Sequence, residues 1–400
     1  MQEEEVGDSE VQVNAIQPTV VSGNVAAEPA IIPPPYIGVA NLRALDVIIP
    51  QNGKNLPPIY QTKTVLQSKE PDPKNMGPGE WSVYAHKRIS QGTRYYELTR
   101  LVRETLFGAV HHALELELMP PTKSTDRPEG VLVRVNPPRQ MAVKVYFHAK
   151  LREYANRTRE NPWNEMAAGQ FLPPHPHVMT LDDCCYDDEN MYAIMEYFDG
   201  GELFEVINVE NGGPTPLSEP MARSYFKQLV SGLRHCHDRG VAHRDMSLEN
   251  VICKNGEQVC KIIDFGMCMR VPQDEAGRYL RVRPQGIVGK KYYTAPEVIQ
   301  NMLPFNPMHA DIWSLGVILF MLLTSFPPME AAAPLDPRFL MICRGQIRTL
   351  LANWGYGNLS VHVQDLLFRM LRQNPQDRLT LDDIESHPWM SMSYGVEMKM

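Results

Sequence analysis

Apolar residues keep a helical period over only part of this chain, and there the period is unambiguous. Ala222, Tyr225, Phe226, Leu229, Val230 and Leu233 fall at i, i+3, i+4, i+7, i+8 and i+11, which is one buried face of a helix. Ser218 stands as its N-cap, Pro220 lies in its first turn and Gly240 marks its end. Upstream the pattern is different. Alternating apolar positions around Leu98 and Val102, followed by Phe107–Ala113, predict a hairpin, and Met141–Phe147 predicts a further strand. A helical stretch is expected over roughly 149–171, then short strands at Met191–Met195 and Val259–Ile263. Leu315–Leu323, the longest apolar run, is too short to span a bilayer and reads as a core helix. Strands first and helices afterwards predict two lobes with a cleft between them.

Two segments break these periods. Residues 1–94 are rich in proline (Pro18, Pro29, Pro33–Pro35, Pro57, Pro58, Pro71, Pro73, Pro78) and read as a disordered tail or linker, with Ile31–Tyr36 the alternative as a docking stretch. Residues 114–140 carry five prolines and no repeat, and read as an insertion between strands.

Composition narrows the class. With 400 residues and 43% hydrophobic content the chain can bury a sizeable core. A formal net charge of -8 argues against a nucleic-acid or anionic-membrane partner. The seven cysteines show no Cys-x-x-Cys spacing and are odd in number, so neither a zinc site nor a disulfide framework is indicated. An intracellular, cytoplasmic setting is expected, with the nucleus also open. The acidic start, MQEEEVGDSE, has no apolar core of a signal peptide.

The chemistry sits in three strings: His243-Arg244-Asp245-Met246-Ser247-Leu248-Glu249-Asn250, then Asp264-Phe265-Gly266, then Ala295-Pro296-Glu297. A carboxylate and an amide oxygen five residues apart on a loop, with a second carboxylate after an apolar strand, are hard oxygen donors suited to magnesium. Taken singly, each of these residues also suits a turn or a cap. Their order and spacing together resemble the eukaryotic protein kinase family, over about Tyr95 to Trp389. Asp311–Leu319 is most similar to the calmodulin-dependent kinase group of Ser/Thr kinases, although no basic amphipathic segment follows residue 390.

That resemblance implies an α+β, bilobal fold: a strand-rich N-lobe over 95–195, a larger helical C-lobe over 196–390, and a short tail over 391–400. It also implies transfer of the γ-phosphate of ATP to a protein hydroxyl, with Mg2+ held by Asn250 and Asp264 and with Asp245 accepting the hydroxyl proton. Lys144, in Met141-Ala142-Val143-Lys144, would grip the α- and β-phosphates. A lysine ending an apolar strand otherwise snorkels to solvent. Its partner would be Glu165, with Glu160 as the other candidate. Gly169, four residues after Glu165, leaves a hole that Phe171 is expected to fill.

The glycine-rich loop of the family maps onto Arg103, Thr105, Gly108 and Val110, so one glycine of three remains. Val102, Gly108, Val110, Ala142, Lys144, Met195, Glu196, Phe198, Glu202 and Ile252 would line the nucleotide site. Val110, Ala142 and Ile252 sandwich the base in that reading, and Met195 is the gatekeeper. Glu297 with Arg378, and Asp311, match structural acids and bases of the large lobe.

Two departures stand out. Ser247 occupies the place of a lysine that contacts the transferring phosphate, and Lys290 the place of a threonine that packs against it. The reading taken here is that the charge has moved, with Lys290 reaching Asp245 and Ser247 supplying the small hydroxyl. The plainer reading turns Lys290 to solvent beside Lys291.

Between Met267 and Gly289 there is no serine or threonine, and Tyr279 is the one hydroxyl. Arg244, which in the family receives an activating phosphate, would instead meet Asp274 or Glu275. Glu202 and Glu249 match acidic positions that favour a basic residue about three before the target. Met321 and the basic Arg278, Arg281 and Arg283 weigh against it. A monomer acting on protein or peptide is expected. The alternatives are a pseudokinase serving as a nucleotide-binding or scaffolding module, and a small-molecule kinase.

Overall fold

A computed structural model describes residues 60–61, 64–66, 83–88, 92–119, 131–154, 157–186, 190–207 and 214–392. In chain order the first lobe holds β1 (Tyr60–Gln61), β2 (Thr64–Leu66), β3 (Val83–Arg88), β4 (Gly92–Glu104), β5 (Gly108–Met119), β6 (Val131–Arg134), β7 (Gln140–Phe147), α1 (His148–Tyr154), α2 (Pro162–Phe171), β8 (Asp183–Tyr186) and β9 (Asn190–Glu196). The nine strands form one sheet in the order β1-β8-β9-β7-β5-β4-β3-β2, with β6 pairing β5. β7 is apolar from Met141 to Val145 apart from Lys144, as befits a strand covered on both faces.

Three sequence expectations change. Of the segment 1–94, strands β1, β2 and β3 and the start of β4 belong to the sheet; its other residues, Ile31–Tyr36 included, lie outside the described residues. The stretch 114–140 is not simply an insertion, because β5 runs on to Met119 and pairs with β6. The single helix over 149–171 is two helices. Pro162 has no N–H and disfavours the α region at Asn161, whose backbone is extended and whose side chain accepts from the Trp163 N–H, so a new helix starts there.

The second lobe follows with α3 (Leu203–Val206), α4 (Glu219–His237), β10 (Val241–Ala242), β11 (Val251–Cys253), β12 (Cys260–Ile262), β13 (Met269–Arg270), α5 (Pro296–Gln300), α6 (Pro307–Thr324), α7 (Pro337–Cys343), α8 (Ile347–Asn353), α9 (Val361–Met370), α10 (Leu381–Ser386) and α11 (Pro388–Ser391). The six apolar positions read along α4 are all buried, although the Ser218 side chain makes no capping bond. Among the described residues one helix, α6, is long and apolar enough to cross a membrane, and 94% of it is buried within the fold. It is the core helix expected of Leu315–Leu323, apolar all round because neighbours surround it.

Arg378 is 1% exposed on its side chain and binds Glu297 through both carboxylate oxygens, at 2.6 and 2.7 Å. Its other donors reach the carbonyls of Arg372, His309 and Gln373, and the guanidinium lies over the Trp313 ring. Removing the carboxylate strands a fully enclosed cation. Glu297→Ala is expected to destabilise the fold by about 3–5 kcal/mol, read as a drop in the urea midpoint.

Candidate active site

A cavity of about 320 Å³ opens between the sheet of the first lobe and the start of the second. Val102, Val110, Ala142, Lys144, Glu165, Met195, Glu196, Phe198, Glu202, Ile252 and Asp264 all line it, together with Arg103, Met179 and Ile263. A larger hollow of about 480 Å³ lies lower in the second lobe beside Arg281, Phe305 and Arg372. Of the titratable groups singled out from sequence, Lys144, Glu165, Glu196, Glu202 and Asp264 line the 320 Å³ cavity, whereas Asp245 and Lys290 do not.

Lys144 Nζ donates to Glu165 Oε2 at 2.6 Å, with both side chains about a tenth exposed. Burial pushes the Lys144 ammonium down, but Glu165, Asp264 and then Glu160 outweigh it and hold its pKa above the usual value. Glu165, not Glu160, is therefore the partner. Tyr146 adds a second donor to the same Oε2 at 2.5 Å, and burial and then Glu165 raise its phenol well above its ordinary pKa. Tyr146 went unread from sequence, although two residues along a strand from Lys144 it had to share that face.

Gly169 meets no hole. A Cβ there would come within 2.5 Å of Leu181 Cγ, so Leu181 occupies the space assigned to Phe171. Phe171 instead lies under the Arg270 guanidinium.

Gly108 does not line the cavity. It pairs with Tyr146 in the sheet, and a Cβ on it would sit 1.8 Å from the Val145 carbonyl oxygen. The glycine is kept for close strand approach, not for phosphate. Thr105 closes the β4–β5 turn, its hydroxyl accepting from the Gly108 N–H at 3.1 Å. Arg103, which replaces a family glycine, spans the cavity mouth to pair with Glu202 of the second lobe. At the lobe junction the Glu196 carboxylate turns to Lys261 at 2.7 Å.

The reactive loop between β10 and β11 is held from below. Asp311 accepts from the backbone N–H groups of His243 (2.8 Å) and Arg244 (2.7 Å) and from His237 Nε2 (2.9 Å). Arg244 thereby holds φ at 69°, a region a non-glycine residue enters only when its surroundings dictate it. Asn250 Nδ2 donates to both the backbone oxygen and Oδ2 of Asp245, each at 2.7 Å, which leaves Asn250 Oδ1 as an acceptor. Asp264 also has positive φ, at 64°, and its Oδ1 accepts from the Gly266 N–H. Burial raises the Asp264 pKa, but Lys144, the Gly266 N–H, His243 and Lys290 overcome that and hold it ionised.

The two departures meet. Lys290 Nζ lies 3.1 Å from Asp245 Oδ2 and 3.0 Å from Ser247 Oγ, and the Lys290 N–H donates to Asp245 Oδ1 at 3.0 Å. Ser247 is fully buried beneath them. Gly289, at φ +86°, makes this approach possible: a Cβ there would stand 2.8 Å from the Arg244 carbonyl oxygen. Lys290 is turned inward.

The described residues contain no group of three or more His, Cys, Asp or Glu able to hold a metal alone. Two protein oxygens, from Asn250 and Asp264, suit a magnesium ion that takes its remaining ligands from phosphate and water.

Residues 132–390 match the protein kinase domain family. The chain belongs to the protein kinase family. Among its relatives are CBL-interacting protein kinase 17 of Oryza sativa subsp. japonica, 34% identical over 273 residues (66% of this chain, 56% of the relative), and CBL-interacting protein kinase 31 of the same plant, 32% identical over 309 residues (77% and 60%). The mitosis inducer protein kinase cdr1 of Schizosaccharomyces pombe is 35% identical over 216 residues (54% and 33%). The chain thus spans between a third and three fifths of these kinases' own length. The β4–β5 hairpin, which carries Val102, Arg103 and Val110, precedes the matched region.

Glu160 sits close to Gly266 and Asp264. Burial, then Asp264, raise its carboxyl to about 7; Lys144 opposes them, and Glu165 and Asp245 add to the rise. With a folded-state pKa above the ordinary 4.5, protonated Glu160 favours the fold. That contribution is complete below pH 4.5 and is lost as pH rises to about 7. The Tm of the native protein is expected to fall relative to Glu160→Gln across that window; parallel curves would show that the carboxyl titrates elsewhere.

Proposed function

We propose that the chain is an ATP-dependent protein serine/threonine kinase. The observation that carries this reading is the formed Lys144–Glu165 pair facing Asp264 across one cavity, which is the arrangement needed to seat a magnesium nucleotide. The apolar walls from Val102, Val110, Ala142, Met195 and Ile252 would hold adenine beside the Glu196 and Phe198 backbones. Magnesium, held by Asn250 and Asp264, would offset the charge of the phosphates. Asp245, oriented by Asn250 and Lys290, would take the proton of the substrate hydroxyl.

Lys290 supplies the cation that Ser247 cannot. A lysine at Ser247 would rise from the floor of the loop; the lysine at 290 enters from the side and ends at the same carboxylate. Its three rotatable donors satisfy Asp245 and Ser247 and leave one for a transferring phosphate.

The substrate is read as a protein or peptide segment, bound by a monomer in an intracellular compartment, cytoplasmic or nuclear, without nucleic acid or membrane. Glu202 is engaged by Arg103, whereas Glu249 forms no ion pair among the described residues. A preference for an upstream basic residue would therefore rest on Glu249.

Transfer from ATP and Mg2+ to a mixed peptide library tests the reading; nucleotide-dependent thermal stabilisation without transfer would leave an interaction module instead. Lys290→Met is expected to lower kcat by about 100-fold while keeping the thermal shift with ATP and Mg2+. Full turnover in Lys290→Met would refute the relocation.

A further inference from the structure

The segment between Asp264 and Glu297 must hold Lys290 in place, yet among residues 268–288 it has no serine or threonine to carry a phosphate. Its one hydroxyl, on Tyr279, is occupied: it donates inward to the His237 carbonyl at 2.9 Å. The acids expected to take the phosphate's place do not reach Arg244. Asp274 is consumed locally by the N–H groups of Ala276 and Arg278 and by the Arg278 guanidinium.

Arg244 finds a neutral partner instead. Its Nη2 donates to Gln285 Oε1 at 3.1 Å, while its Nε is enclosed with no partner at all. Burial lowers its pKa to about 10, against the pull of Cys268 and Asp311. The same glutamine makes two further ties. Its Nε2 reaches Met269 Sδ on β13, and its backbone carbonyl accepts from Arg159, in the loop that leads into α2 and Glu165. The next residue, Gly286, donates to Asn301 Oδ1 at the end of α5 at 2.7 Å.

We infer that Gln285 is a positioning residue: its side-chain amide, bound to Arg244 and to Met269, locks the segment that carries Lys290 onto the catalytic loop without any phosphate. This rests on the kinase reading for its effect on turnover, but not for its effect on order. An amide suits the place because the guanidinium is partly enclosed and makes no ion pair with an acid of its own segment; a hydrogen-bond acceptor is the least that satisfies it. The remaining unpartnered Nε keeps the tie dependent on one side chain.

The test uses the full chain, unphosphorylated, with Gln285→Ala, Gln285→Glu, Arg244→Ala and the double variant Arg244→Ala/Gln285→Ala. Gln285→Ala is expected to lower kcat at least tenfold, to change the KM for ATP less than twofold, and to speed amide hydrogen exchange over residues 281–289. Gln285→Glu, which keeps an acceptor for Arg244, should stay within threefold of the native kcat. The double variant should be no worse than the poorer single one. The inference is overturned if Gln285→Ala keeps native kcat and exchange, if Gln285→Glu is as impaired as Gln285→Ala, or if the two losses multiply. Should the native protein transfer no phosphate, the kinase reading fails and exchange alone decides: unchanged exchange in Gln285→Ala overturns the anchor, and faster exchange there, reversed in Gln285→Glu, sustains it.

Discussion

The buried carboxylate of Asp311 is the constraint on which the rest of the site depends. It sits on the mostly apolar α6 and is fully enclosed, so the charge must be answered by donors. The donors are the backbone N–H groups of His243 and Arg244 and the His237 ring. Satisfying one charge in the core thereby fixes the backbone of the catalytic loop from below, including the strained φ of Arg244. From that fixed point the positions of Asp245, Ser247 and Asn250 follow within a few residues. A rigid helix, not the loop itself, sets the geometry of the reacting groups.

The same logic explains why a lysine can change its place in the chain. In the proposed reaction a cation would arrive at Asp245, and nothing in the electrostatics specifies which backbone carries it. Ser247 is enclosed, and a lysine stem there would have to leave through packed surroundings. Lys290 approaches along a partly open face, where its methylene stem needs no cavity. The exchange has a structural consequence. The Lys290 backbone N–H also binds Asp245, so the segment that positions the cation and the loop that holds the base are one hydrogen-bonded unit.

Much of this was legible in sequence because motif order encodes it. Lys144, Asp245, Asn250 and Asp264 lie at spacings that few other architectures share, and α4 declared its buried face through its 3.6-residue period. What escaped the reading shares a physical feature: it depends on contacts between segments far apart in the chain. Leu181, not Phe171, fills the space above Gly169 because the approach of β8 to α2 is set by sheet pairing. Gly108 looked like the last glycine of a phosphate loop and is a packing glycine, which only its cross-strand neighbour Val145 reveals. Gln285 gave no signal at all. A neutral residue in an irregular segment has no periodicity, and its importance appears only beside an enclosed arginine.

The mouth of the cavity shows how far a lost motif can be replaced by other means. Where the family keeps glycines so that backbone N–H groups approach phosphate, this chain has Arg103, Thr105 and a tight hydroxyl-closed turn. The β4 strand leading to that turn is irregular at two places, between Leu98 and Arg100 and between Leu101 and Arg103, and such bulges re-aim side chains beside functional sites. The second of them ends at Arg103, whose guanidinium crosses to Glu202. A flexible backbone cradle and a side-chain clasp act on the nucleotide in different ways: the first wraps the phosphates, the second ties the lobes together at the rim. The pair is partly exposed, so its direct energetic contribution is small. What it supplies is placement: Arg103 and Glu202 both line the cavity, so the pair sets a guanidinium at the rim of a cleft that also holds Asp264 and Glu165. The rim of this site is thus a partly exposed contact between lobes, while the Lys144–Glu165 pair below it is buried.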